Sequence, residues 1–207
     1  MKPRDHHIAD RIGLVRLARL FSNVFSPPAL FAAVALALSW AERPFWPGLA
    51  WAAVYGFFVS LAPMLFVLYL LHTGRIVELH MSDTTERHLP YLVAMVGSLL
   101  TVALLWLLRG PELLRALAWI NILTLLLLAL INNHWLISFH ATAAMAMLLV
   151  IWLVFGPLSG LLLLPLVLLI VAVRLYLRRH TPAQVVGGLL LGCVVVLAPA
   201  WLGLFPT

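Results

Sequence analysis

The chain has 207 residues, of which 64% are hydrophobic and only 10% are charged. Soluble domains carry roughly 25% charged residues, so this composition excludes an ordinary soluble globular fold. The net charge of +6 then indicates orientation against anionic lipid headgroups, and not nucleic-acid binding. The composition predicts an integral membrane protein.

The N-terminal stretch, residues 6–23, interleaves apolar side chains with Arg11, Arg16 and Arg19. This pattern is typical of an amphipathic helix that lies in the membrane interface. The stretch has no uninterrupted apolar region of the kind found in a signal peptide, so we expect no cleavage. We therefore interpret residues 1–23 as an interfacial segment and residues 24–207 as a single transmembrane domain.

Seven apolar stretches follow, each close to the roughly 20 residues that a helix needs to cross a bilayer. The hinge at Gly156-Pro157 is so short that the fifth and sixth stretches must form a tight antiparallel pair. The first and sixth stretches are the shortest. The predicted fold is all-α, a polytopic bundle of six to seven transmembrane helices. The predicted spans are 25–42, 48–71, 90–108, 114–132, 138–155, 158–174 and 183–204.

The polar residues are distributed unevenly between the two ends of this bundle. The connections after the second, fourth and sixth spans fall on one side, together with the N-terminus, and all eight histidines lie there. We call this side the polar face. It holds three polar clusters, at residues 72–88, 132–140 and 174–184. A surface without function would spread its histidines over both sides, so we infer that the clusters form one site.

The third cluster carries a recognisable spacing. Arg174, His180 and Gln184 stand in an Arg-x5-His-x3-Gln arrangement, which resembles the Arg-x5-His-x3-Asp signature of the phosphatidic acid phosphatase type 2 superfamily. The second signature of that family is Ser-Gly-His, and Ser138-Phe139-His140 is similar to it.

The first signature of the family is Lys-x6-Arg-Pro. The stretch from His80 to Arg87 keeps its spacing, with Pro90 three residues further on. The resemblance covers roughly residues 70–190 and keeps the order of all three signatures. The chain departs from the family where His80 replaces Lys, Phe139 replaces Gly and Gln184 replaces Asp.

The resemblance implies a lipid phosphatase, an enzyme that hydrolyses a membrane lipid phosphate or an isoprenoid diphosphate. It implies that His180 attacks phosphorus and forms a phosphohistidine, that His140 protonates the leaving oxygen and that Gln184 orients His180. Neutral imidazole suits such an attack at pH 7, and arginine can grip two phosphate oxygens at once. No metal or other cofactor is required. The phosphate-binding residues it implies are Arg174, Arg87, His80 and Ser138.

Local sequence supports the position of His180. Thr181-Pro182-Ala183-Gln184 predicts a helix start with a capping box between Thr181 and Gln184. His180 then precedes a helix N-terminus, which favours an anion. A second capping box is predicted from Asp83 to Glu86. Other readings stay open: Gln184 and Ser138 also suit plain helix caps, and Arg178 and Arg179 suit interfacial anchors.

Two other functions are compatible with the residues. A haem or metal protein would use the histidines as ligands, although the neighbouring arginines repel cations. A relative that binds a lipid headgroup without turnover would explain the substituted Lys and Asp positions. We expect a multi-pass protein of a prokaryotic plasma membrane. Ten of the 13 Lys and Arg residues lie on the polar face, so the N-terminus and the site are predicted to be cytoplasmic.

Overall fold

The computed structural model describes residues 3–5, 12–77 and 85–205. This part of the chain contains eight helices and no strands, so the prediction of an all-α bundle is confirmed. The helices are α1 (Gly13–Val24), α2 (Pro27–Glu42), α3 (Phe45–His72), α4 (His88–Leu107), α5 (Glu112–Asn132), α6 (Phe139–Phe155), α7 (Pro157–Tyr176) and α8 (Pro182–Trp201).

Five of the described helices, α3, α4, α5, α7 and α8, are long and apolar enough to cross a membrane. Helices α1 and α2 meet at a bend of 46° and together form a sixth candidate span. Helix α6 is apolar but has 17 residues. The seven predicted stretches thus correspond to seven apolar helices, of which five meet the length requirement alone.

The sixth predicted stretch, 158–174, is three residues shorter than the helix that contains it, Pro157–Tyr176. Helix α7 has 20 residues and the most apolar window of the candidate spans. The predicted stretch ends at Arg174 because an arginine usually marks the end of an apolar span. The helix instead continues to Tyr176, and Arg174 is 4% exposed inside the bundle.

Helix α3 contains a π-helical segment at Phe57–Leu61, and α4 packs closely against it. A Cβ atom on Gly97 of α4 would collide with the carbonyl oxygen of Phe58. Only glycine permits this approach. The contact joins the middle of α4 to the π-helical segment of α3.

Helix α8 approaches α6 through two glycines spaced four residues apart, an arrangement that lets helix backbones come close in membranes. A Cβ on Gly188 would lie 2.5 Å from the Ser138 carbonyl oxygen, and one on Gly192 would lie 2.6 Å from the Thr142 carbonyl oxygen. The start of α6 therefore lies beside the start of α8. This places the second and third polar clusters next to each other.

The N-terminal residues pack on the end of α7. The Arg4 N–H donates to the Leu177 carbonyl oxygen at 3.0 Å. The buried Asp5 carboxylate accepts two hydrogen bonds from Arg179, both at 2.9 Å. The side chain of Arg179 is 3% exposed, so its interpretation as an interfacial anchor is wrong. Arg178 is exposed, as an anchor requires.

The predicted N-terminal helix is confirmed over Gly13–Val24, and residues 6–11 lie outside the described part of the chain. Ala18 packs against Val173 and Leu177 of the α7 region. Leu14, Leu17 and other bulky residues of α1 are exposed on its other side. This amphipathic division suits the membrane interface, and the interfacial location of residues 1–23 stays a prediction.

Candidate active site

A cavity of about 290 Å³ lies at the polar face. Four predicted site residues, one or two from each polar cluster, line it: Arg87, His140, Arg174 and His180. Apolar side chains of α3 and α5, including Met64, Val67 and Leu125, form another part of its wall. The cavity therefore combines charged and apolar walls, as small-molecule sites commonly do.

His180 occupies the position immediately before the α8 N-terminus. The predicted capping box is confirmed: the Thr181 N–H donates to Gln184 Oε1 at 2.9 Å, and the Gln184 N–H donates to Thr181 Oγ1 at 3.3 Å. Pro182 takes the first helical position. These local bonds fix the backbone next to His180, whose side chain lines the cavity.

The His180 imidazole is held neutral. Burial, followed by the positive charges of Arg174 and Arg87, lowers the pKa of His180 from 6.5 to about 3. Leu136 and the Gln184 side chain oppose this shift to a smaller extent. Nδ1 of the ring forms no hydrogen bond of good geometry with any residue that the structure describes. A neutral imidazole carries the lone pair that nucleophilic attack needs.

Arg174 lies in the last turn of α7, almost fully buried. Its Nη1 donates to Ser22 Oγ at 3.0 Å, and its Nε has no partner among the described residues. Arg87, Arg179 and Asp5 are near enough to interact with its charge. Burying a guanidinium is costly unless anionic or hydrogen-bonding groups satisfy it. A phosphate in the cavity would supply such a group.

Arg87 ends a short 3₁₀ turn, Thr85–Arg87, immediately before α4. Its charge acts on both Arg174 and His180, so the two predicted phosphate-binding arginines face one cavity. His80, the third member of that set, lies outside the described residues, as does Asp83 of the predicted capping box. The Glu86 carboxylate accepts from the Val77 N–H at 3.1 Å.

His140 is the second residue of α6. Its Nε2 lies 3.1 Å from the Ser22 carbonyl oxygen and 3.4 Å from Ser22 Oγ. A carbonyl oxygen can only accept a hydrogen bond, so this contact assigns a proton to Nε2. Because Nε2–H is engaged by this carbonyl, the ring can protonate a leaving oxygen only as an imidazolium, through Nδ1.

Ser138 is fully buried at the start of α6 and does not line the cavity. Its Oγ accepts from the Ala141 N–H at 3.4 Å and caps the helix, as the interpretation of Ser138 as a helix cap predicted. A role of Ser138 in phosphate binding stays a prediction. The Gln184 amide oxygen is likewise occupied by the cap, although the side chain also interacts with His180.

Polar residues outside the predicted set, Ser22 and Tyr91 among them, also line the cavity. Ser22 comes from α1 and contacts both Arg174 and His140. Tyr91 lines the cavity and its hydroxyl accepts from Asn132 Nδ2 at 3.1 Å. A weak signal for Ser22 exists, since Ala18 and Ser22 form a small-residue stripe, four residues apart, on a helix of bulky side chains.

The arrangement has the parts that phosphoryl chemistry needs. Two guanidinium groups and a helix N-terminus can hold an anion, and two imidazoles can attack and donate a proton. Across residues 3–5, 12–77 and 85–205, no group of three His, Cys, Asp or Glu side chains is placed to hold a metal ion.

Fold and site together define an integral multi-pass membrane protein with a cavity that two arginines and two histidines line at one end of its bundle. The chain belongs to the PAP2 superfamily, whose family model matches residues 63–204. This confirms the family that the three signatures indicated, and members of the superfamily are phosphatases and related phosphoesterases. No curated protein and no solved structure matches the chain. Helices α1 and α2 lie outside the matched range.

Proposed function

We propose that the protein is a membrane phosphatase that hydrolyses a lipid phosphate or an isoprenoid diphosphate through a phosphohistidine on His180. One observation carries the proposal: Arg87, His140, Arg174 and His180 line a single cavity that also has an apolar wall. Membership of the PAP2 superfamily supports phosphatase chemistry.

The arginines and the α8 N-terminus bind the phosphate of the substrate. Their positive charges are fixed by burial and by helix geometry, so they stabilise charge that develops on the phosphate oxygens without rearranging. Arg174 is the stronger candidate for bidentate binding, because the Ser22 hydroxyl accepts from its Nη1 and fixes the guanidinium at the cavity wall.

The reaction proceeds in two displacements. A ring nitrogen of His180 attacks phosphorus with its lone pair, and the bond from phosphorus to the lipid oxygen breaks. That oxygen takes a proton from His140, so the lipid leaves as an alcohol or as a shortened phosphate. Water then attacks phosphorus, returns a proton to His140 and breaks the phosphorus–nitrogen bond. Inorganic phosphate is released and His180 is neutral again.

The apolar wall explains why the substrate should be a lipid. Pro63, Met64 and Val67 of α3 and Leu125 of α5 border the same cavity as the charged residues. A lipid can place its headgroup against the arginines while its hydrocarbon lies along these side chains and in the bilayer. Phosphatidic acid, phosphatidylglycerol phosphate and polyprenyl diphosphates all have this form.

One observation favours the alternative of a lipid-binding relative without turnover. Gln184 stands where the family has a carboxylate, and its amide oxygen already accepts from the Thr181 N–H. An amide stabilises a developing imidazolium less than a carboxylate does. This alternative keeps the arginine contacts with phosphate and loses the chemical step.

Phosphate release separates the two functions. The purified protein is assayed with phosphatidic acid, phosphatidylglycerol phosphate and a polyprenyl diphosphate in the presence of a chelator. Release that is lost in His180→Asn and kept in His134→Asn, an exposed histidine outside the cavity wall, supports the phosphatase. Phosphate binding without release from any substrate supports the binding protein and contradicts the phosphatase.

A further inference from the structure

Helix α1 contributes one side chain to the centre of the site. Ser22 is 2% exposed, lines the cavity and lies outside the range matched by the family model, which begins at residue 63. Its position is therefore a property of this chain's own N-terminal region. The three family signatures do not account for it.

Ser22 connects two site residues from different polar clusters. Its Oγ accepts from Arg174 Nη1 at 3.0 Å, across 152 positions of sequence. Its carbonyl oxygen accepts from His140 Nε2 at 3.1 Å, across 118 positions. The same residue thus touches the group that binds phosphate and the group that protonates the leaving oxygen.

We propose that Ser22 is a positioning residue of the active site, whose hydroxyl orients the Arg174 guanidinium and whose carbonyl orients the His140 imidazole by accepting from Nε2. The inference rests on the proposed function for the roles of Arg174 and His140. It assigns to α1 a part in the chemistry that the family signatures do not contain.

The hydroxyl contact matters because a guanidinium binds two oxygens only when its plane is fixed. Arg174 has a flexible stem, and hydrogen bonds to charged groups are stronger than bonds between neutral groups. Accepting from one Nη1 hydrogen fixes the plane of the guanidinium and leaves other N–H donors of the same group for phosphate oxygens. The carbonyl contact is independent of the side chain and survives any substitution at Ser22.

Buried ion pairs hold α1 in this position. Asp5 is fully buried and accepts from Arg179 in a bidentate arrangement, and Arg19 of α1 adds a contact to Asp5 Oδ2 at 3.2 Å. Arg179 is the neighbour of His180 in the chain. The N-terminal residues, α1 and the segment before α8 are therefore joined directly beside the cavity.

The test measures the binding of inorganic phosphate to the full chain in detergent, by calorimetry, with three variants. Ser22→Ala removes the hydroxyl, and Ser22→Thr keeps it. Ser39→Ala is the matched control, because Ser39 is also fully buried on a neighbouring helix and its Oγ has no partner among the described residues. We expect Ser22→Ala to bind phosphate about tenfold more weakly, since one charge-assisted bond is lost. Ser22→Thr should restore most of the affinity, and Ser39→Ala should bind as the wild type does.

Thermal unfolding with and without phosphate separates positioning from a structural role. A ligand that binds only the folded state raises the Tm by an amount that grows with the ratio of its concentration to its Kd. We expect Ser22→Ala to keep its phosphate-free Tm within a few degrees of the wild-type value and to lose most of the increase that phosphate produces. A lower phosphate-free Tm with an unchanged increase would identify a purely structural residue and overturn the proposal, as would wild-type affinity in Ser22→Ala or no recovery in Ser22→Thr.

Lipid phosphate hydrolysis by the same preparations distinguishes this inference from the proposed function. Turnover that is equal in the wild type and in Ser22→Ala contradicts the role of Ser22 alone. Phosphate binding that depends on Ser22, without turnover of any lipid, contradicts the phosphatase and leaves the role of Ser22 in orienting Arg174 supported. A wild-type chain that binds no phosphate contradicts both.

Discussion

The backbone N–H of Ser138 donates to the carbonyl oxygen of Gln184 at 3.1 Å. This bond joins the start of α6 to the first turn of α8, 46 positions further along the chain. It forms because Gly188 and Gly192 let the two helices approach closely. The histidines that precede α8 and begin α6 are thereby brought to one cavity by a backbone contact beside them.

Gln184 provides a direct test of how its carboxylate-to-amide replacement affects the site. We expect Gln184→Asp to keep or raise turnover, because aspartate still caps the helix and stabilises a charged imidazole better than an amide does. Gln184→Ala should lower the free energy of unfolding by about 1 kcal/mol through loss of the cap. Steady-state kinetics and thermal unfolding of both variants make the check. An alanine variant with unchanged stability and a large loss of rate would defeat the reading of Gln184 as a cap alone.

Asp5 should contribute strongly to stability although it lies at the N-terminus. Asp5→Asn removes the carboxylate charge that faces the buried Arg179 guanidinium, and breaking a buried pair in this way costs about 3 kcal/mol. Glu112→Gln is the matched control, because it breaks the Arg115 ion pair whose Glu112 side chain is 68% exposed, worth less than about 1 kcal/mol. Thermal unfolding in detergent compares them. Equal effects of the two substitutions would show that residues 3–5 do not hold α1 on α7.

The positions of the helices and of three site clusters follow from local sequence, whereas the contacts of α1 do not. Apolar stretches of about 20 residues indicate helices because each span must satisfy its own backbone in lipid. The Arg-x5-His spacing that indicates Arg174 and His180 also lies within a short stretch of sequence. The bond from Ser22 to Arg174 depends on how α1 folds back onto α7, which no periodicity in residues 6–23 encodes.

Arg174 and Arg179 are two further residues whose contacts could not be predicted from the sequence. An arginine near the end of an apolar stretch usually anchors a helix at the interface, and sequence alone cannot distinguish this from a buried arginine whose partner is distant. Arg174 meets Ser22, and Arg179 meets Asp5, over more than 150 positions. Gln184 was better predicted because its partner, Thr181, is three residues away.

The neutral state of His180 should make the protein less stable in acid. The pKa in the folded state, about 3, lies below the usual value of 6.5, so the unfolded chain binds an extra proton between these values. Stability from this residue is therefore complete above about pH 6.5 and is lost as the pH falls towards 3. His180→Asn should show a shallower fall in Tm from pH 7 to pH 4 than the wild type. Parallel curves for the two proteins would mean that His180 titrates in the folded state as it does in the unfolded chain.

Membrane orientation is predicted from the distribution of charge. With the first stretch crossing the membrane, the N-terminus and the polar face are cytoplasmic, because most Lys and Arg residues lie there. A single cysteine is placed at Thr73, which follows α3 on the polar face, in a chain where Cys193 is replaced by serine. We expect an impermeant thiol reagent to leave it unlabelled in intact cells and to label it after lysis. Strong labelling in intact cells would reverse the predicted orientation.

The central claim is that His180 carries the phosphoryl group during turnover, and trapping that intermediate tests it most directly. Protein is mixed with a lipid substrate labelled in its phosphate, quenched within milliseconds in alkaline denaturant that preserves phosphohistidine, and digested for mass spectrometry. We predict a phosphorylated peptide containing His180 in the wild type, and no phosphopeptide in His180→Asn, whose turnover falls by several orders of magnitude because no other attacker is available. Phosphate release from the lipid by His180→Asn at the wild-type rate would contradict the claim, as would a trapped phosphoryl group on another residue.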